Sequence, residues 1–164
     1  MIRQQPILIH CILIMLLWCF TACDTGNKET FAFRCYVTIP AGLNPVLTHN
    51  FEILQIPGMD NSQLVDALPS EIRLYVEYGE PTIDFVRDAF FIASTDSTMT
   101  EIGYRINSPI TNSRFLDLYP SIADIRDHIG QAFFQMTLKL NLRSAPVTDT
   151  YVRIDFSVLS RLVE

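Results

Sequence analysis

The chain has 164 residues, with 12 Lys and Arg against 18 Asp and Glu, for a formal charge of −6. Such an acidic chain is a poor partner for nucleic acid, because phosphate binding needs clustered Lys and Arg. Nearly half of the residues are hydrophobic, enough to build a core of its own.

The first 22 residues read as a signal peptide. Arg3 is the only charge before Asp24, Pro6 to Trp18 are almost wholly apolar, and Phe20-Thr21-Ala22-Cys23 closes the segment with small residues and a cysteine. A charged start, a short apolar stretch and a small-residue cleavage site define a secretory signal, and the apolar run is short for a membrane span of roughly 20 residues. This segment resembles a bacterial lipoprotein signal with its lipobox, although Phe20 stands where Leu is usual. The resemblance implies cleavage before Cys23, acylation of Cys23 (palmitate among the chains) and residence in the bacterial cell envelope as an outer-membrane lipoprotein, facing the periplasm or the cell surface. Acylation adds about 0.8 kcal/mol per buried CH₂, so several chains on one cysteine hold durably.

Removing 22 residues from 164 leaves 142, and the loss of Arg3 makes the charge −7. Residues 23–30 hold the lipidated cysteine and a polar tether. Residues 31–164 are expected to form a single domain. Of four cysteines only Cys35 remains unassigned; no intramolecular disulfide can form, and Cys35 alternates with apolar neighbours as a small core residue.

From Phe31 onward the hydrophobic period is mostly two, the period of a strand. Phe31, Phe33, Cys35, Val37 and Ile39 share one face, with Arg34, Tyr36 and Thr38 on the other, until Pro40 and Gly42. Thr48 to Ile56 is a second strand. Ser62 to Leu68 has the spacing of a helical turn before Pro69. Ile72, Leu74, Val76 and Tyr78 alternate against Arg73, Tyr75 and Glu77. Phe85 to Ser94 is apolar on both faces, which suits a strand covered on both sides or bulged near Arg87-Asp88. Ile102, Tyr104 and Ile106 return after a polar turn, and Phe115 to Leu118 is short. Ser121 and Asp124 open a helix carrying Ile122, Ile125 and Ile129 on one face, stopped by Gly130. Phe134 to Leu142 and Val152 to Val158 alternate most cleanly, and as sequence neighbours they are expected to pair as an antiparallel hairpin.

The expected fold is therefore all-β: an antiparallel sandwich of about seven or eight strands, Greek-key or immunoglobulin-like, with one or two short helices. The pattern from Ile122 to Phe156 loosely resembles uncharacterised β-sandwich lipoproteins of the Bacteroidota, a resemblance that carries no activity with it.

No motif for catalysis, phosphate binding or zinc is present. His49 and His128 are not spaced as a metal pair. Asp60 to Glu71 has the length of a calcium loop, but Val65 stands where Gly must turn the chain. Asp96 and Glu101 flank an ordinary polar turn. No catalytic residue, metal or cofactor is expected. The one hint of recognition is Tyr36 and Tyr75 beside Arg34 and Arg73. On neighbouring strands these would form an aromatic and cationic face suited to proteins or carbohydrate. The reading is a non-enzymatic accessory lipoprotein that meets other envelope proteins. A carbohydrate-binding module is the alternative, and a hydrolase with an unrecognised site the third.

Overall fold

The computed structural model describes residues 27–43, 45–54, 63–95, 98–131 and 133–162. The signal segment and Cys23 lie outside the described residues, as do Asp60 and Asp96.

Eight strands form the domain: β1 (Lys28–Ile39), β2 (Val46–Leu54), β3 (Leu64–Tyr78), β4 (Val86–Ser94), β5 (Met99–Arg105), β6 (Phe115–Pro120), β7 (Phe133–Leu142) and β8 (Thr150–Leu162). A four-residue helix, α1 (Arg126–Ile129), lies between β6 and β7. The hydrogen-bonded order is β1-β8-β3-β6-β5-β4-β7-β2. Every pairing is antiparallel. The pairs 1–8, 2–7, 3–6 and 4–5 nest inside one another, which is the topology of a jelly roll, two interlocked Greek keys. The all-β, antiparallel, Greek-key expectation thus resolves into this variant, with two four-stranded halves, β1-β8-β3-β6 and β5-β4-β7-β2. They join at the β6–β5 corner through only two residue pairs, Gly103 with Pro120 and Tyr104 with Tyr119.

The strand alternation explains the core. Val37 and Ile39 of β1, Leu74 and Val76 of β3, Leu116 and Leu118 of β6, and Val152, Ile154, Phe156 and Val158 of β8 are buried from one half. Phe91, Phe134, Met136, Leu138, Leu140 and Leu142 come from the other. Phenylalanines tie the halves together: Phe156 stacks on Phe33 at 4.8 Å and meets Phe91 edge-on at 5.2 Å, and Phe33 meets Phe134 at 5.7 Å. Burial pushes the Cys35 thiol up to about 12, so it is an inert, half-buried core residue.

Five local expectations need correction. The closing strands do not form a hairpin: β7 pairs with β2 and β4, and β8 with β1 and β3. Residues 143–149 cross from one half to the other, and nested pairing overrides the preference for sequence neighbours. Leu64 to Leu68 is strand, not helical turn; its Leu spacing fits a strand that bulges between Leu64 and Asp66 and again between Pro69 and Glu71. Lys28 to Thr30, expected within the tether, already pair with β8. Tyr78 points outward, 73% exposed, after a register shift beyond Val76. The helix is one turn, with Ile125 and Ile129 buried and Ile122 fully outside. Its N-cap, Ile125, makes no side-chain cap; Asp124 just before it accepts the N–H of Arg126 and the N–H of Ala67 on β3. The expected irregularity at Arg87-Asp88 is present as a shift between Val86 and Asp88.

Candidate recognition face

Arg34 and Tyr36 sit on β1, Arg73 and Tyr75 on β3, and β8 runs between them. The registers place Tyr36, Arg153, Tyr75 and Phe115 in one row across β1, β8, β3 and β6. The next row is Arg34, Asp155, Arg73 and Asp117. Directly paired residues point to the same side of a sheet, so both rows stand on the outer face. All four residues singled out in the sequence come together there, joined by β8 and β6 residues that the sequence alone did not associate with them.

The face is not simply cationic. Arg34 donates from Nε to Asp155 Oδ1 at 2.6 Å and from Nη2 to Oδ2 at 3.3 Å. Arg153 contacts the same carboxylate at 3.1 Å and also pairs with Glu77. Arg73 donates to Asp117 and, from Nη1, to the Tyr75 hydroxyl at 3.3 Å. These contacts hold the Arg34 and Arg73 guanidinium groups above their ordinary range, through the hydrogen bond to Asp155 and to Asp117 first. Each arginine is thus neutralised by a carboxylate across the strands.

The aromatic rings interleave with this grid. Tyr36 stacks on Tyr151 with centroids 5.3 Å apart. The Arg153 guanidinium lies 4.4 Å from the Tyr75 ring centre, and that of Arg73 4.9 Å from Phe115. Beyond Phe115, Tyr119 is 53% exposed. It meets Tyr104 of β5 at 6.0 Å and carries Arg105 over its ring at 4.5 Å. Arginine and aromatic residues therefore recur along this face from β1 to the β6–β5 corner, with Asp117 between Phe115 and Tyr119 on β6.

Beside the grid the face sinks into a hollow of about 470 Å³, whose lining includes Ala32, Arg34, Ser70, Glu71, Arg73 and Asp155. The histidines contribute nothing to this surface. His49 is exposed on β2 against Phe51. His128 is buried in α1, with Nε2 bonded to the Thr100 hydroxyl at 3.0 Å. Among the described residues no three His, Cys, Asp or Glu side chains cluster as metal ligands, and no helix is long and apolar enough to cross a membrane.

No protein family model and no curated protein matches the chain. Solved structures that match include a chain of Desmodium yellow mottle tymovirus, 9% identical, with a TM-score of 0.31, covering 86% of this chain and 93% of that one. So distant a likeness bears on neither fold nor function.

Proposed function

We propose that this protein is a non-enzymatic accessory lipoprotein of the bacterial envelope, anchored to the outer membrane through acylated Cys23, whose sandwich docks a protein partner on the outer face of β1-β8-β3-β6. The observation that supports the docking most is the tract of Tyr36, Tyr151, Tyr75, Phe115, Tyr119 and Tyr104 interleaved with Arg34, Arg153, Arg73 and Arg105. Aromatic residues and arginine are the types enriched where proteins meet. Their stacked, ion-paired side chains are already ordered, so little further entropy is lost when a partner covers them.

A photo-reactive amino acid at Phe115 or Tyr119, in the acylated protein in its own membrane, is expected to give discrete protein adducts. The same probe at Lys139, on the opposite face, is expected to give none. Adducts from Lys139 alone, or from no position, would refute the docking face. The anchor has its own test: radiolabelled palmitate should enter the wild type and not Cys23→Ser.

The second reading is a carbohydrate-binding module, favoured by the hollow beside the grid. Its mixed polar and apolar walls and broad opening suit a small hydroxylated ligand better than a flat protein surface.

A further inference from the structure

The hollow owes its shape to register. Below the Arg34–Asp155–Arg73 row, the next residues facing outward are Ala32 on β1, Ser157 on β8 and Glu71 on β3. The bulge between Pro69 and Glu71 adds Ser70 to the same side, where its hydroxyl lies 2.8 Å from that of Ser157. Bulges are a common way of re-aiming a side chain toward a site. Three small side chains thus make a floor, and the arginine and carboxylate row makes a wall. Tyr75, held flat by Arg153 and Arg73, stands at its end.

The unused hydrogen-bonding capacity defines the ligand. Ser70 and Ser157 share one bond, which leaves one hydroxyl hydrogen to donate. Arg34 and Arg73 have spent only part of their five N–H donors on Asp155, Asp117 and Tyr75. The Glu71 side chain has no hydrogen-bond or ion-pair partner among the described residues. The site therefore offers donors and acceptors side by side, as vicinal hydroxyls require, because each hydroxyl both gives and takes a hydrogen bond. Its charge count selects further. Arg34 and Arg73 are matched by Asp155 and Asp117, and Glu71 leaves the hollow one negative charge in excess. A carboxylate or phosphate ligand would meet arginines already neutralised and a carboxylate already waiting. The Tyr75 ring supplies a flat apolar body for the C–H face of a ring-shaped ligand.

We infer that the hollow over Ala32, Ser70 and Ser157 is a binding subsite for a saccharide without acidic groups, recognised by Glu71, Arg34, Arg73 and the serine hydroxyls with Tyr75 as its apolar wall. This rests on the second of the two readings above and gives it a place and a ligand class.

The test uses the full chain in detergent and three probe sets on one array: neutral oligosaccharides of mannose, galactose and glucose, oligogalacturonates, and chitosan oligomers bearing free amines. The neutral or the amine series is expected to bind, with the acidic series weaker. Ala32→Leu, which fills the floor from an exposed strand position, and Glu71→Gln, which removes the unpaired charge, should each weaken binding by about tenfold or more. Thermal unfolding of both variants should match the wild type, so that the loss is one of binding. No binding of either non-acidic series, tighter binding of the acidic series, or Ala32→Leu at wild-type affinity would each overturn the inference. Protein adducts from Phe115 or Tyr119 that persist while every saccharide fails would sink this inference and leave the protein-docking reading standing. Saccharide binding without adducts would do the reverse.

Discussion

The outer face of β1-β8-β3-β6 carries a grid of paired Arg, Asp and Glu set among aromatic rings, while the outer face of β2-β7-β4-β5 is built differently. There the rows read Thr48, Lys139, Phe90 and Tyr104, then Asn50, Thr137, Ile92 and Glu101. Its side chains meet mainly through neutral groups, as where Thr137 donates to Asn50 at 2.9 Å. Lys139, Glu52 and Glu101 form no ion pair among the described residues. Both faces cover the same core with the same strand period, and the second does so without a salt bridge between its strands. Exposed ion pairs contribute about 0–1 kcal/mol each. Ion pairs of this kind therefore add little to the fold, which leaves the grid free for the recognition role proposed above.

The sharpest break of the comparison lies beneath both faces. Leu138→Ala under the neutral face and Phe156→Ala under the paired face should each lose about 2–5 kcal/mol, the usual cost of deleting a buried side chain of this size. Urea midpoints measure this. Equal losses mean one shared core; a loss confined to one variant would mean the halves are stabilised separately.

Gly79 comes next. It holds φ +100, and a Cβ there would lie 2.5 Å from the Asp149 backbone oxygen. Gly79→Ala should cost about 1–3 kcal/mol in backbone strain, with the steric clash adding to it. That turn sets the end of β3 against the start of β8, so the variant should disturb the paired face more than the neutral one. Hydrogen exchange read separately on β3 and β7 would decide.

The grid itself should yield little stability. Arg34→Gln should barely move the urea midpoint, and move it less still at high salt, because Arg34 is more than half exposed. Lys139→Ala on the other face should fall within about 0.5 kcal/mol.

Smallest is a pH effect. Burial lowers the His128 pKa, against a smaller opposing influence from Asp127. The unfolded chain then binds the proton more readily than the folded one. Stability from this group is complete above the unfolded value of about 6.5 and is lost as pH falls below it. Unfolding midpoints between pH 7.5 and 5.5 should drop in the wild type and flatten in His128→Leu. An unchanged slope would remove His128 from the account.

The core and the strand count were legible because alternation survives in a half-buried sheet: Phe134 to Leu142 and Val152 to Phe156 face as their period requires. Topology was not, because alternation carries no record of partner, and the nearest strand in sequence proved to lie in the other half. The helical reading of Ser62 to Leu68 failed because a bulge shifts the strand period, and two Leu four residues apart fit either structure. For the candidate face, Tyr36, Tyr75, Arg34 and Arg73 were visible as outward residues. What they meet was not, because Arg153 and Asp155 read only as the polar side of β8 until its place between β1 and β3 was known. Glu71 follows the alternation of Arg73 and Tyr75, but Ser70 joins the floor only through a bulge that sequence period cannot locate.

The central claim is that the paired face serves recognition and not stability. It is tested most directly by measuring unfolding and photo-adduct formation together in Arg73→Gln/Tyr75→Ala, with the reactive probe at Phe115. The account predicts a stability change of about 1–2 kcal/mol, from two partly exposed side chains, together with loss of the adducts. Unfolding at ordinary temperature with adducts intact in the remaining folded protein would contradict it.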